Sequence, residues 1–264
     1  MEKRVSVLGC GNIGLSIIEG ILRHKVIPRN HITATKRNID EKSSLKGLGI
    51  NLTTDNANAA RNSDIIIIAV KSYNFLGVIE DIKDVLIPGK HIIVSITTGI
   101  PTERIRNLTG SSVAVFRAMP NISASIGSSV SCICHKGASQ DEIKSVTDLF
   151  DVIGKTMVIE EELMESATIL GSCGVAYVLR FIRAMIQGGI QIGFDAAVAS
   201  AIVNQTVKGA AELLIERGEH PEHEIDKVTT PKGCTIVGLN EMEHNGFSSS
   251  LIKGIVASFE KIEK

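Results

Sequence analysis

The chain of 264 residues contains no tryptophan, and aromatic residues make up only 3% of it. A core with so few large rings must be filled mostly by Ile, Val, Leu, Ala and Met in closely packed layers. An excess of one charge is also missing: 28 Lys and Arg stand against 29 Asp and Glu, a formal net charge of −1. That balance removes the electrostatic reason to expect nucleic acid or an anionic membrane as partner. No apolar run approaches membrane-spanning length; the longest evident one is IIIIAV, 65–70. The opening MEKRVSVLGCGNIG starts basic, but glycines interrupt its apolar run and no small-residue cleavage pattern follows. It reads as a first strand, not as a signal peptide. Cys10, Cys132, Cys134, Cys173 and Cys234 are odd in number and form no C-x-x-C pair. Zinc and dithiol motifs are therefore unsupported, and reduced thiols in a cytoplasm are expected. The 24 glycines follow no period, which excludes collagen-like and repeat architectures.

What is present is the composition of a folded, soluble protein, with 44% hydrophobic and 22% charged residues. Short apolar runs predict strands over 4–9, 31–35, 64–70, 91–96, 112–118, 130–134 and 156–160. Helical patterns fall between them, over 12–24, 39–48, 74–86, 101–108 and 139–153. The run of isoleucines at 65–68 does not alternate, as suits a strand buried on both faces of a parallel sheet. Alternating β and α segments predict a Rossmann-type, doubly wound, mostly parallel α/β sheet. After about residue 160 the strand signal stops. A long helix over 162–193, bent near Gly171–Gly174, precedes a second that Asp195 caps and Gly218 ends, with two more over 233–244 and 248–262. These helices are apolar on several sides, which predicts oligomerisation as well as an internal core. The expected division is 1–160 for the Rossmann domain and 161–264 for an all-helical one.

The stretch LGCGNIG places Gly9, Gly11 and Gly14 in the G-x-G-x-x-G pattern, directly after a strand and opening a helix. A tight turn, close approach of a pyrophosphate and close helix–strand packing need the three glycines in that order. The helix N-terminus at Asn12 and Ile13 then offers N–H groups to phosphates. Where an NAD site usually carries an acid, this chain has TATKRN, with Thr35, Lys36 and Arg37 and no carboxylate. Two cations and a hydroxyl suit a 2′-phosphate, so NADPH is the expected cofactor, with NADH also possible at the same turn.

Near the other end, VTTPKGCTIVGL (228–239) starts a helix at a proline, a glycine and several hydroxyls. The first helical N–H groups, with Thr229, Thr230 and Thr235, form a candidate cradle for a carboxylate. On composition alone an ordinary threonine cap explains the stretch equally well.

This stretch resembles the signature of pyrroline-5-carboxylate reductases, V-T-S-P-G-G-T-T-I-A-G-L, which ends in acidic residues and G-F, as EHNGF does here. The likeness extends along the chain. LGCGNIG resembles the family's glycine turn, ATKRN its basic loop, AVKS (69–72) its A-V-K-P, and SITTGI (95–100) its S-I-A-A-G-I. RAMPN (117–121) is similar to R-x-M-P-N, and GSCGVAYVLRFIRA (171–184) to S-G-S-G-P-A-Y-V-F-x-F-I-x-A. The resemblance implies a C-terminal helical domain that interlocks two subunits as a homodimer, with higher assemblies such as a decamer. It implies reduction of 1-pyrroline-5-carboxylate to proline by NAD(P)H. Thr235 falls on the threonine that hydrogen-bonds the ring nitrogen, and Val228, Thr230, Gly233 and Cys234 fall with it on the substrate loop. Asn56, Ala69, Val70 and Lys71 fall near the ribose and nicotinamide, and Ile96, Thr97 and Thr98 are expected to line the same cleft.

Three departures stand out: Lys232 replaces a family glycine, Val175 a proline, and Ser72 the proline of A-V-K-P. A positive φ at position 232 would strain a lysine. No lysine occurs over 174–192, which opposes a β-hydroxyacid dehydrogenase of similar plan. A non-catalytic cofactor-binding regulator and a reductase of another cyclic imine are the remaining alternatives. His220 and His223 lack a third ligand, so no metal is expected, and Glu160, Glu161 and Glu162 read as a solvated helix start. Arg180 and Arg183 read as solvent or partner-helix contacts.

Overall fold

The computed structural model describes residues 3–38, 44–110 and 112–262. The chain divides into two compact units, Met1–Cys173 and Gly174–Ile262. In the first, eight strands among the described residues form one sheet in the order β3-β2-β1-β4-β5-β6-β7-β8. They are β1 (Val5–Leu8), β2 (Ile32–Thr35), β3 (Asn51–Thr53), β4 (Ile65–Ile68), β5 (Ile92–Ser95), β6 (Ala114–Met119), β7 (Ser129–Lys136) and β8 (Gly154–Val158). The helices between them are α1 (Asn12–His24), α2 (Asn56–Arg61), α3 (Ser72–Ile82), α4 (Thr102–Thr109) and α5 (Gln140–Asp151).

The isoleucines of β4 show why the sheet is doubly wound. Ile65 and Ile67 join Ile17, Ile18 and Ile21 of α1 and Leu149 and Phe150 of α5 in one apolar layer. Ile66 and Ile68 join Ala59 and Ala60 of α2 and Phe75, Ile79 and Ile82 of α3 in the other. Successive side chains of a strand point to opposite faces, so a run without alternation requires a helical cover on both. Each such buried isoleucine contributes about 1.5–3 kcal/mol of burial free energy.

β1 through β6 are parallel. β7 turns back antiparallel to β6, pairing Arg117 with Cys134. The link between them, a 3₁₀ turn over Ile122–Ile126, is too short for the crossover a parallel partner requires. α5 supplies such a crossover, so β8 runs parallel to β7. A capping box starts α5, with Ser139 accepting from the Glu142 N–H and Glu142 reaching back.

Three sequence expectations change here. β3 and α2 lie where no element was expected, α2 being capped by Asp55, which accepts from the Asn58 N–H at 2.9 Å. Of the helix expected over 39–48, residues 39–43 lie outside the described residues, and Lys46–Leu48 form one 3₁₀ turn. Residues Glu161–Gln191 are helical throughout, and by length and composition this helix could cross a membrane, its most apolar 18 residues having a mean hydropathy of 1.6. The expectation considered only uninterrupted apolar runs; here charges and glycines interrupt the run, and membrane-spanning length and composition in this helix were not anticipated.

The first unit closes with the short helix α6 (Met164–Ala167) and a π-helical turn, Thr168–Cys173. The bend expected near Gly171–Gly174 is thus a widened turn. The second unit holds α7 (Gly174–Gln191), α8 (Ala196–Arg217), α9 (Pro221–Val228), α10 (Cys234–His244) and α11 (Phe247–Ile262). Asp195 caps α8 by accepting from the N–H groups of Ala197 and Val198, and Gly218 ends it at φ 67°. α9 falls between Gly218 and residue 233, where no helix was expected. His220 caps it and Pro221 stands at its first position, where a missing N–H costs nothing. Among the described residues of this unit only Ala199 and Val203 are buried.

Candidate functional site

A cavity of about 800 Å³ runs along the C-terminal ends of the six parallel strands β1 to β6 of the first unit. Thr35, Lys36 and Arg37 border it after β2, Gly9, Gly11, Asn12 and Ile13 after β1, and Ala69, Val70 and Lys71 after β4. Ile96 and Thr98 border it after β5, and Asn56 lines it from α2. Ligands bind at this edge of open α/β sheets, where the strand order reverses, here between β1 and β4.

The three glycines have three physical reasons. Gly9 has φ 86°, and a Cβ there would stand 2.1 Å from Cγ1 of Val70. A Cβ on Gly11 would meet nothing within 4 Å, so the backbone lies open to the cavity. Gly14 does not line the cavity; its Cβ would press at 3.2 Å on Val7, so it serves helix–strand packing. Gly11 caps α1 without any side-chain hydrogen bond. The first-turn N–H groups of α1 therefore have no partner within their own helix, and a pyrophosphate fits this cradle.

The end of β2 is tied to the glycine turn. The Thr35 hydroxyl oxygen accepts from the Gly9 N–H at 3.1 Å and donates to Asn56 Oδ1 at 2.6 Å. Asn56 Nδ2 in turn donates to Asp81 at 2.9 Å. Thr35 is thus buried and committed to shaping the turn, which leaves Lys36 and Arg37, both exposed, to meet a ligand. Arg37 donates to Asn74 Oδ1. Thr97 is also buried: its hydroxyl donates to the Val70 carbonyl at 3.0 Å, which ties the β4 and β5 loops together. Burial pushes the Cys10 thiol up to about 12, so it stays protonated beside the cradle.

The far end of the cavity is formed by residues to which sequence reasoning gave no role. Met119 ends β6, Pro120, Asn121 and Ile122 follow it, and Thr168 and Ser172 come from the π turn. The RAMPN motif signalled the first group. Nothing in the apolar periodicity signals the second.

Glu161 is likewise not the solvated residue expected. Its carboxylate accepts from the Thr102 N–H at 2.7 Å and hydroxyl at 2.5 Å, and from buried Arg117 at 3.1 Å, while Glu165 takes the other guanidinium nitrogen at 2.7 Å. Pro101 leaves α4 without a side-chain cap, and Glu161 supplies one from a distance. Burial pushes the Glu161 carboxyl up, but the Thr102 bonds and the Arg117 charge outweigh it and hold it below its ordinary range.

In the second unit, Val228 ends α9, and Thr229 donates to the Ile225 carbonyl at 2.8 Å, so that hydroxyl caps α9. The Gly233 N–H donates to the Thr230 carbonyl at 2.9 Å, closing a turn over Thr230, Pro231, Lys232 and Gly233. Lys232 stands there at φ 61°, a conformation that favours glycine. A Cβ on Gly233 would lie 2.6 Å from the Thr230 hydroxyl oxygen, so only glycine fits beneath it. Gly233 begins α10 with no side-chain cap, so the N–H groups near exposed Cys234 and half-buried Thr235 lack intrahelical partners.

A strand order of 3-2-1-4-5-6 with an open glycine turn at β1 defines a dinucleotide-binding oxidoreductase of the Rossmann type. The family model described as pyrroline-5-carboxylate reductase dimerisation matches residues 161–264, and one described as NADP oxidoreductase, coenzyme F420-dependent, matches residues 4–99. Pyrroline-5-carboxylate reductase 2 of Dictyostelium discoideum is 40% identical over 100% of this chain and 93% of its own length. Pyrroline-5-carboxylate reductase 1 of the same organism is 42% identical over 98% of this chain; the chain spans 49% of that longer relative. A Plasmodium falciparum pyrroline carboxylate reductase, solved with NADP bound, superposes with a TM-score of 0.90 at 27% identity, over 98% of this chain and 97% of the other. The chain belongs to the pyrroline-5-carboxylate reductase family.

Proposed function

We propose that this chain reduces 1-pyrroline-5-carboxylate to L-proline, the last step of proline synthesis. The observation that carries this reading is likeness over nearly the full length of named reductases, joined to an open phosphate cradle in the chain itself. When bound, NADPH would supply a hydride to the carbon of the protonated imine, the proton on the ring nitrogen coming from solvent. The chain's residues hold, orient and polarise. Lys36 and Arg37 take the 2′-phosphate, which favours NADPH while NADH still binds through the α1 N-terminus. The free N–H groups at Cys234 and Thr235, with Thr230, hold the substrate carboxylate, and Val228 and Gly233 shape the loop around it. The Thr235 hydroxyl hydrogen-bonds the ring nitrogen and keeps the imine polarised. Rate enhancement then comes from positioning and electrostatics, with no covalent intermediate on the chain.

Residues 1–160 serve as the NADP-binding domain and 161–264 as the substrate-binding and dimerisation domain. A second copy covers the apolar faces of the C-terminal helices as a homodimer, and dimers assemble further, as in a decamer. The exposure of Ile215 (77%), Val237 (66%) and Ile252 (60%) supports a protein partner for these faces. Five free thiols support a cytoplasmic location.

NADPH oxidation with 1-pyrroline-5-carboxylate, beside a hydroxyacid panel run with NADP, tests the reading. Turnover of the imine alone is expected. NADPH binding without turnover would favour the non-catalytic regulator, and hydroxyacid oxidation would favour the dehydrogenase. Thr235→Ala should lower turnover and leave NADPH affinity nearly intact.

A further inference from the structure

The RAMPN motif holds a feature that hydride delivery leaves unexplained. Two hydrogen bonds join it to the π turn in opposite directions. Asn121 Nδ2 donates to the Gly171 carbonyl at 3.0 Å, and the Ser172 hydroxyl donates to the Pro120 carbonyl at 2.8 Å. Asn121 is buried, and its other side-chain atom, Oδ1, accepts from the Ser123 N–H at 2.9 Å. Its backbone N–H donates to the Ser129 hydroxyl at 3.0 Å. Both ends of the amide are thereby assigned, and its orientation follows from its partners. A π turn disturbs the regular i→i−4 ladder, and such turns recur at functional sites. Here one of its carbonyls is taken by a side chain from 50 residues away.

The place of this staple follows from the sheet. β1, with the glycine turn, is one strand from β2 and three strands from β6. At about 4.8 Å per strand, the β6 end lies roughly 14 Å from the phosphate cradle. Lys36 and Arg37 mark the 2′-phosphate half on the β2 side, so the reducing ring extends toward β4, β5 and β6. The wall made by Pro120, Asn121, Ile122, Thr168 and Ser172 bounds that ring's end of the cavity.

We propose that Asn121 and Ser172 are positioning residues for hydride transfer: they staple the π turn to the end of β6 and so set the wall against which the nicotinamide stands. The proposal rests on the reading of the chain as an NADPH-dependent imine reductase. Asn121→Asp keeps an acceptor for the Ser123 N–H and removes the donor to Gly171, so it separates capping from stapling. Ser172→Ala removes one atom and covers the case in which Asn121→Asp does not fold, and Ser172→Thr restores a hydroxyl.

The test measures kcat at saturating NADPH, NADPH Kd, and the emission of bound NADPH, which senses the ring's surroundings without turnover. Asn121→Asp and Ser172→Ala should each lower kcat about tenfold, leave Kd within about twofold, and shift the emission. Ser172→Thr should recover most of kcat. The double variant should lose little more than the worse single one, as expected of two bonds in one unit. Unchanged kcat and emission would overturn the proposal, as would a loss of rate that follows Kd alone. If the unaltered enzyme binds NADPH but does not reduce the imine, the functional reading fails. The emission shifts then still decide the staple by themselves.

Discussion

α1 and α7 are both amphipathic helices rich in isoleucine and glycine, and they meet opposite fates. α1 buries Gly14, Ser16, Ile17, Ile18, Gly20 and Ile21 against the sheet, whereas α7 has no buried residue. The same contrast separates the units to which they belong. In the first, both faces of the sheet are covered by the chain's own helices. In the second, apolar side chains from five helices stay exposed. A helical stripe therefore specifies that a face will be covered, but not by what. The stability of the first unit is expected not to depend on protein concentration, and that of the second to rise where a partner covers it.

The sharpest test makes one change in both places. Phe116→Ala, at 0% exposure in β6, should cost about 3–5 kcal/mol, independent of protein concentration. Phe181→Ala, at 38% exposure in α7, removes a ring 6.1 Å from that of Phe247. It should cost about 1 kcal/mol in dilute protein and more at high concentration, where assembly contributes. Denaturant titrations at two concentrations separate the cases. An equal, concentration-independent loss at both sites would dissolve the contrast.

The buried charge of the first unit is next. Glu161→Gln leaves Arg117 short of one carboxylate at 2% exposure and should cost about 3 kcal/mol. The sign of the pH effect follows from the depressed carboxyl. Its contribution is present above the ordinary value of 4.5 and is lost as pH falls through the lower folded value. Stability should therefore drop on acidification below about pH 4.5 in the parent, and less steeply in the variant. Melts between pH 3 and pH 7 check it; parallel pH profiles would remove Glu161 from the account.

That residue also marks the limit of what the sequence could reveal. Local pattern exposed the buried strands, because four isoleucines without alternation have one physical reading. It exposed the Asp195 cap, the Gly218 stop and the glycine turn, whose chemistry lies within a few residues. It missed β3, a three-residue strand of polar composition at the sheet edge. It missed α9, a short polar helix that Pro221 opens from its first turn. Glu161 was taken as solvated because its partner Arg117 lies 44 positions away, and the staple spans 50. Pairings over such distances exist only once the sheet is assembled. The π turn was hidden for another reason: one widened turn barely disturbs a periodicity averaged over many residues.

A third test compares what each unit recognises. Changing Lys36 and Arg37 together to glutamine should weaken NADPH roughly 30-fold and NADH only slightly, since only the former offers a 2′-phosphate to these cations. Oligomeric state should not change, because the residues lie in the self-sufficient unit. Equal losses for the two cofactors would refute the NADPH assignment.

The smallest effect uses two lysines held in the left-handed region, one in each unit. Lys25 ends α1 at φ 55°, its N–H donating to the Leu22 carbonyl, and Lys232 sits before α10 at φ 61°. For either, glycine would relieve about 1–2 kcal/mol of backbone strain. Against that stands the greater freedom of glycine in the unfolded chain, about 0.5–1 kcal/mol. Each Lys→Gly change should therefore stabilise by about 0.5 kcal/mol, seen as a small rise in Tm. The two should part in kinetics. Lys25→Gly should leave KM for the imine unchanged. Lys232→Gly should raise it, because position 232 directly precedes the N–H groups proposed to hold the carboxylate, and its ammonium adds attraction there. A KM that stays put in both variants would make Lys232 a surface charge tolerated at a strained position, with no part in substrate capture.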